Sequence, residues 1–84
     1  MAKVMMYSTG YCPYCARARE LLQQKNTSFT DVRIDLQPEL REEMMTKSGR
    51  NTVPQIFING QHVGGCDDLY ALETQGKLDQ LLRG

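Results

Sequence analysis

Apolar and polar positions fall in short blocks along this chain, and the period of each block assigns it an element. Val4-Met5-Met6-Tyr7 is an unbroken apolar run of strand length, suited to a buried strand. From Pro13 to Lys25 good helix formers dominate, and Ala18, Leu21 and Leu22 recur at i, i+3 and i+4, on one helical face. Pro13 suits the first helical position, where a missing N–H costs nothing, and so makes Cys12 the N-cap. Phe29 to Asp35 alternates, with Val32 and Ile34 on one side and Asp31 and Arg33 on the other. Pro38 opens a second predicted helix, in which Leu40 and Met44 stand four apart and Gly49 is the stop. Gln55-Ile56-Phe57-Ile58 and Gln61-His62-Val63 flank Asn59-Gly60, the strongest short hairpin signal. Gly64-Gly65 ends that strand. Asp67-Asp68 begins a last helical region with Leu69 and Leu72 inward, broken by Gly76 before a closing turn or helix over Leu78, Leu81 and Leu82.

The resulting order, β-α-β-α-β-β-α, predicts an α/β chain. Its first βαβ unit is a right-handed parallel crossover and its hairpin is antiparallel, so the sheet is four-stranded and mixed, with helices on its faces. With 84 residues and no linker, repeat or low-complexity stretch, residues 1–84 read as one domain.

Ten basic residues balance ten acidic ones. Zero net charge argues against binding nucleic acid by phosphate neutralisation and against polybasic membrane attachment. No apolar stretch approaches signal-peptide or membrane-spanning length, and the expected location is the cytoplasm. Thiols are kept reduced there, so three cysteines, two of them closely spaced, suggest catalysis or metal rather than a structural staple.

Cys12-Pro13-Tyr14-Cys15 lies directly after a strand and opens a helix, the context of a thioredoxin-like redox motif. A thiol at a helix N-terminus meets unpaired N–H groups and the positive end of the helix dipole, and both favour the attacking thiolate. Cys15, one turn further in, is placed to resolve a mixed disulfide by attacking Cys12. The competing reading is zinc, since Cys12, Cys15, His62 and Cys66 make a formal Cys3His set. The His62-x3-Cys66 half spans a hairpin strand and a Gly-Gly break, and Pro13 stiffens the first loop, which favours redox chemistry and no bound metal.

Cys12-Pro13-Tyr14-Cys15, Thr52-Val53-Pro54, Gly64-Gly65 and Cys66-Asp67-Asp68 together resemble a glutaredoxin over essentially the whole chain. The likeness is to the small bacterial dithiol type, and extends to Arg41-Glu42-Glu43-Met44 and Val53-Pro54-Gln55-Ile56-Phe57-Ile58. It implies a thioredoxin-like fold. It also implies a glutathione-dependent oxidoreductase that reduces protein disulfides and protein–glutathione mixed disulfides, with Cys12 as nucleophile and Cys15 resolving. Glutathione is then a co-substrate and no cofactor is held. The partners are glutathione and disulfide-bonded or glutathionylated proteins, with a ribonucleotide reductase as a candidate client through the resemblance alone, and the chain is a monomer.

The sequence alone leaves the Val53–Pro54 bond open between cis and trans; the resemblance implies cis. Thr52, Val53 and Pro54 would then face the cysteines, and the Val53 backbone would pair with the cysteinyl part of glutathione. Asp67 and Asp68 suit a helix N-terminus in their own right. In glutaredoxins the matching Cys66-Asp67-Asp68 segment also holds the γ-glutamyl end, through backbone N–H groups on its carboxylate and an aspartate on its ammonium. Tyr14 is expected against the tripeptide, Tyr11 beside the site and Tyr7 in the core. Relatives often carry a lysine three residues before the first cysteine, where this chain has Thr9. Arg41, otherwise an ordinary solvated helix charge, is therefore the expected anchor of the glycyl carboxylate. Cys66 reads as a small semi-buried filler, with a modified thiol as the rarer alternative. His62 reads as an ordinary hairpin residue, and Met5, Met6, Met44 and Met45 read as packing. The rival class is a zinc or iron–sulfur cluster carrier, which Pro13 after the first cysteine disfavours. A thioredoxin-like protein without glutathione is a third reading, opposed by the Thr-Val-Pro and Cys-Asp-Asp segments.

Overall fold

The computed structural model describes residues 2–83. Its elements are β1 (Val4–Ser8), α1 (Pro13–Gln24), β2 (Phe29–Arg33), α2 (Leu40–Ser48), β3 (Gln55–Ile58), β4 (Gln61–Gly64), α3 (Cys66–Thr74) and α4 (Leu78–Arg83). The strands lie in the order β2-β1-β3-β4. β1 runs parallel to β2 and antiparallel to β3, and β3 and β4 form the antiparallel hairpin. Asn59 and Gly60 turn that hairpin with φ of 54° and 79°, the left-handed pair that a two-residue turn matched to strand twist requires.

The apolar runs of β1 and β3 are continuous because both faces of the sheet are covered. Val4 and Met6 join Ile56 and Ile58 in one core with Ala18, Leu21 and Leu22 of α1, Leu69 of α3 and Leu78 of α4. Tyr7 and Phe57, pointing the other way, form a second core with Ile34 and with Met44 of α2. Their rings meet edge to face at 5.9 Å. Buried Tyr7 donates its hydroxyl to Glu43 Oε2 at 2.6 Å, and burial with that carboxylate pushes the phenol well above its usual range. One helical layer on each side of a mixed four-stranded sheet is the thioredoxin-like fold expected above.

Several boundaries differ from the sequence reading. β2 stops at Arg33, not Asp35. The Ile34 N–H still donates to the Ser8 carbonyl, but Asp35 turns away to accept from the Gly10 N–H and from the Arg33 guanidinium. Helix α2 begins at Leu40, because Pro38 sits in a preceding turn whose carbonyl accepts the Arg41 N–H. Helix α3 starts one residue early, at Cys66. The hairpin carries a β-bulge, with Ile56 opposite Gly64 and Phe57 opposite His62, so that Val63 is the extra residue. Met5, Met6, Met44 and Met45 do not pack together: Met6 packs in the first core, Met5 and Met44 in the second, and Met45 is 42% exposed. Among the described residues no helix is long and apolar enough to cross a membrane.

Candidate active site

Cys12 caps α1 in extended conformation, and Pro13 is the first helical residue. The cap bond is made by sulfur: the Cys15 N–H donates to Cys12 Sγ at 3.4 Å. On its other side Cys12 Sγ lies 3.9 Å from the Val53 carbonyl oxygen. The Val53–Pro54 peptide is cis, and Val53 precedes β3 rather than lying in it. Cys12 is partly exposed and Cys15 fully buried, and all three thiols are free. Burial, with the Cys12 thiol beside it, pushes the Cys15 thiol up to about 12 against the opposing pull of the Thr9 backbone.

A shallow cleft of about 220 Å³ opens at the Val53 turn that Cys12 Sγ approaches. It is bounded by Tyr14 on α1, by Arg50, Thr52, Val53 and Pro54 ahead of β3, and by Gly65 to Asp68 at the start of α3. Asp68 Oδ2 accepts the Gly65 N–H at 2.9 Å, so a carboxylate one turn into the helix reaches back to its cap. Arg50 Nη1 reaches the same oxygen at 3.0 Å. The Gly65 N–H and the Arg50 guanidinium together hold the Asp68 carboxyl below its usual range. Gly64, the last residue of β4, has φ of 126°, and a Cβ there would collide with the Asp68 carboxylate. Gly64→Ala is therefore expected to cost about 1–3 kcal/mol of stability, read as a lower urea midpoint; an unchanged midpoint would contradict the close packing.

A family model described as Glutaredoxin matches residues 4–63, which takes in both cysteines and the Val53–Pro54 turn. The chain belongs to the glutaredoxin family. It is 57% identical to glutaredoxin 3 of Escherichia coli over 83 residues, 99% of this chain and 100% of that one. It is 56% identical to the glutaredoxin of Pseudomonas aeruginosa over 82 residues, 98% of each. Among solved structures, that of Brucella melitensis glutaredoxin is 58% identical with a TM-score of 0.85, covering 98% of this chain and 89% of that one. A buckwheat glutaredoxin solved in complex with glutathione gives a TM-score of 0.91 at 29% identity, covering 98% of this chain and 77% of that one. Glutaredoxins are glutathione-dependent thiol–disulfide oxidoreductases, and that is the activity of this chain.

Within this glutaredoxin the fold gathers Tyr14, Thr52, Val53, Pro54, Cys66, Asp67 and Asp68 around one cleft. Tyr14 is 53% exposed, with the Arg17 guanidinium 5.9 Å over its ring. Arg41 is not among the residues lining that cleft: its guanidinium donates to the Asn51 carbonyl at 2.9 Å. Arg50 is the cation in the lining, and the sequence reading missed it. Its one linear signal is a positive charge directly after the Gly49 helix stop and two residues before Thr52. Thr9 is buried, so this position presents no side chain to a ligand. Cys66 is buried in the cleft wall, and burial first, then Asp67, raises its thiol. His62 faces elsewhere, with Nε2 2.7 Å from Gln55 Oε1 and its ring against Phe57. Among the described residues no three His, Cys, Asp or Glu side chains converge as a metal site would require.

Proposed function

We propose that Cys12 is the attacking thiol of this oxidoreductase and that Cys15 resolves its mixed disulfides. The observation that carries this reading is the contrast between the two sulfurs. Cys12 Sγ is reachable at a helix start, between the Cys15 N–H and the Val53 carbonyl, whereas Cys15 is sealed beneath it. As thiolate, Cys12 attacks the glutathione sulfur of a protein–glutathione disulfide. The new Cys12–glutathione bond forms as the old disulfide breaks, and the protein thiolate leaves to take a proton from water. A second glutathione thiolate then attacks the bound glutathione sulfur, giving oxidised glutathione and free Cys12. On a protein disulfide the Cys12 adduct is instead opened by Cys15, which forms the Cys12–Cys15 bond and expels the second protein thiolate. Two glutathiones reduce that bond in turn.

Glutathione is read into the cleft with its cysteinyl backbone along Val53, pairing as a short strand would. Its γ-glutamyl carboxylate meets the N–H groups at the start of α3. Asp67, exposed and without an ion-pair partner among the described residues, meets its ammonium, because Asp68 is already held by Arg50 and Gly65. Arg50 in the lining and Arg41 on the Asn51 carbonyl supply positive charge for the two carboxylates. We read the chain as a single cytoplasmic domain that works as a monomer on disulfide-bonded and glutathionylated proteins; its balanced charge argues against polybasic membrane attachment. A ribonucleotide reductase is a candidate client of that chemistry through the family resemblance alone.

Trapping tests the reading. A Cys15→Ser variant incubated with oxidised glutathione is expected to gain the mass of one glutathione, located on Cys12 by peptide mapping. No adduct, or an adduct on Cys66 alone, would overturn it.

A further inference from the structure

The segment that carries Val53 has no ladder of its own. Among the described residues no main-chain-to-main-chain hydrogen bond reaches Arg50, Asn51, Thr52, Val53 or Pro54. Two of its carbonyls are held by side chains instead. The Arg41 guanidinium donates to that of Asn51, and Gln55 Nε2 donates to that of Thr52 at 3.0 Å. Gln55 opens β3 and is fully buried, and its Nε2 also donates to Thr52 Oγ1 at 3.2 Å. Its Oε1 lies 2.7 Å from Nε2 of His62 on β4. Neither Gln55 nor His62 lines the cleft, and the exchange chemistry described so far uses neither.

We propose that Gln55 is a positioning residue for the Thr52–Val53 turn on which glutathione is seated, and that His62 orients Gln55 from the neighbouring strand. The inference rests on the reading that the cysteinyl part of glutathione pairs along Val53.

The hydrogens of this chain of bonds follow from its acceptors. A carbonyl oxygen only accepts, so the Gln55 NH2 faces Thr52, and its two hydrogens match the two Thr52 oxygens. Oε1 is then turned to His62 and only accepts, so His62 carries a hydrogen on Nε2, neutral or charged. The imidazole lies against Phe57, with ring centroids 5.0 Å apart, which fixes its aim. With Oε1 engaged, the amide does not flip its oxygen onto the Thr52 carbonyl. β3 is paired on both edges, with β1 and with β4, so Gln55 ties the turn to the inside of the sheet. Val53 is the next residue, and its carbonyl oxygen is the one 3.9 Å from Cys12 Sγ. A backbone segment ordered in advance spares a ligand the entropy of ordering it. Loss of Gln55 therefore acts on the seating of glutathione and not on the reactivity of Cys12, whose cap bond comes from Cys15 N–H.

The test uses Gln55→Met, His62→Phe and the double variant. Methionine has a similar length and no donor; phenylalanine keeps a ring on Phe57 and lacks the N–H. Gln55→Met is expected to raise KM for a glutathionylated peptide about fivefold with kcat within about twofold, as lost preorganisation requires. Alkylation of Cys12 by iodoacetamide is expected to stay within about twofold, since it reports the thiolate alone. Amide order parameters of Thr52 and Val53 are expected to fall from the rigid value of about 0.85 toward about 0.6. His62→Phe is expected to raise the same KM about twofold, and the double variant no further than Gln55→Met, because both act through one amide. Should Gln55→Met fail to fold, His62→Phe decides, and a KM unmoved by it would overturn the proposal. Unchanged KM and order parameters in Gln55→Met would overturn it as well. So would KM effects that multiply in the double variant, or an equal slowing of alkylation, since either marks general loosening of the domain. Lowered order parameters with an unmoved KM would overturn the seating of glutathione on Val53, and this inference with it.

Discussion

Cys12→Ser is expected to abolish both reductions, of protein disulfides and of glutathione mixed disulfides, by at least about a thousandfold, because a serine hydroxyl does not exchange with disulfides. The partner variant divides the two activities. Cys15→Ser is expected to keep deglutathionylation within about threefold, since that route closes on a second glutathione, and to lose net reduction of protein disulfides. Coupled assays on a glutathionylated peptide and on a disulfide-bonded peptide read the two separately. The folded state should survive both changes: Cys12 is partly exposed, and serine fills most of the Cys15 volume. Full activity of Cys12→Ser in either assay would remove Cys12 from the mechanism and leave the buried sulfurs, Cys15 and Cys66, to account for it.

The largest expected loss of stability is at Leu69. It is fully buried on α3 and joins the first core with Leu22 of α1 and Ile56 of β3. It is also the residue after Asp68, so the packing that holds it seats the wall of the cleft. Leu69→Ala removes the buried side chain and leaves a cavity, a change that costs about 2–5 kcal/mol. At roughly 0.05–0.15 kcal/mol per residue the whole domain has about 4–13 kcal/mol to lose. For a domain of this size each kilocalorie lowers the melting temperature by about 4–8 °C. The expected result is a fall of roughly 10–30 °C in thermal unfolding followed by circular dichroism. A fall of less than about 4 °C would mean that α3 packs more loosely than described.

Much of the fold could be read from local chemistry. Asn59-Gly60 named its hairpin because few residues accept two successive positive φ values, and Cys12-Pro13 marked a helix start because proline there lacks a donor the helix does not need. The misreadings occurred where distant groups decide. Asp35 was assigned to β2 by alternation, yet its carboxylate is claimed by Gly10 and Arg33, and the chain turns to deliver it. The bulge at Val63 brings no signal of its own, since only pairing with β3 reveals the extra residue. In the site, the two cysteines and the acidic helix start were legible because their spacing along the chain is the chemistry. The cations were not. Arg41 and Arg50 look alike in sequence, and only the path of the Gly49–Asn51 segment puts the second in the cleft and the first on a backbone carbonyl. The hydrogen bonds that Arg19 of α1 donates to Asp31 of β2 and Ser8 of β1 were equally hidden, because the two partners lie on different strands.

The Arg50–Asp68 contact gives the cleft its own counterion. A zwitterionic guest that engages either group exchanges one opposite charge for another and need not strip a lone ion of its water. Discrimination among thiols then depends less on total charge than on whether a molecule offers its ammonium and carboxylates at the spacing this lip already satisfies for itself.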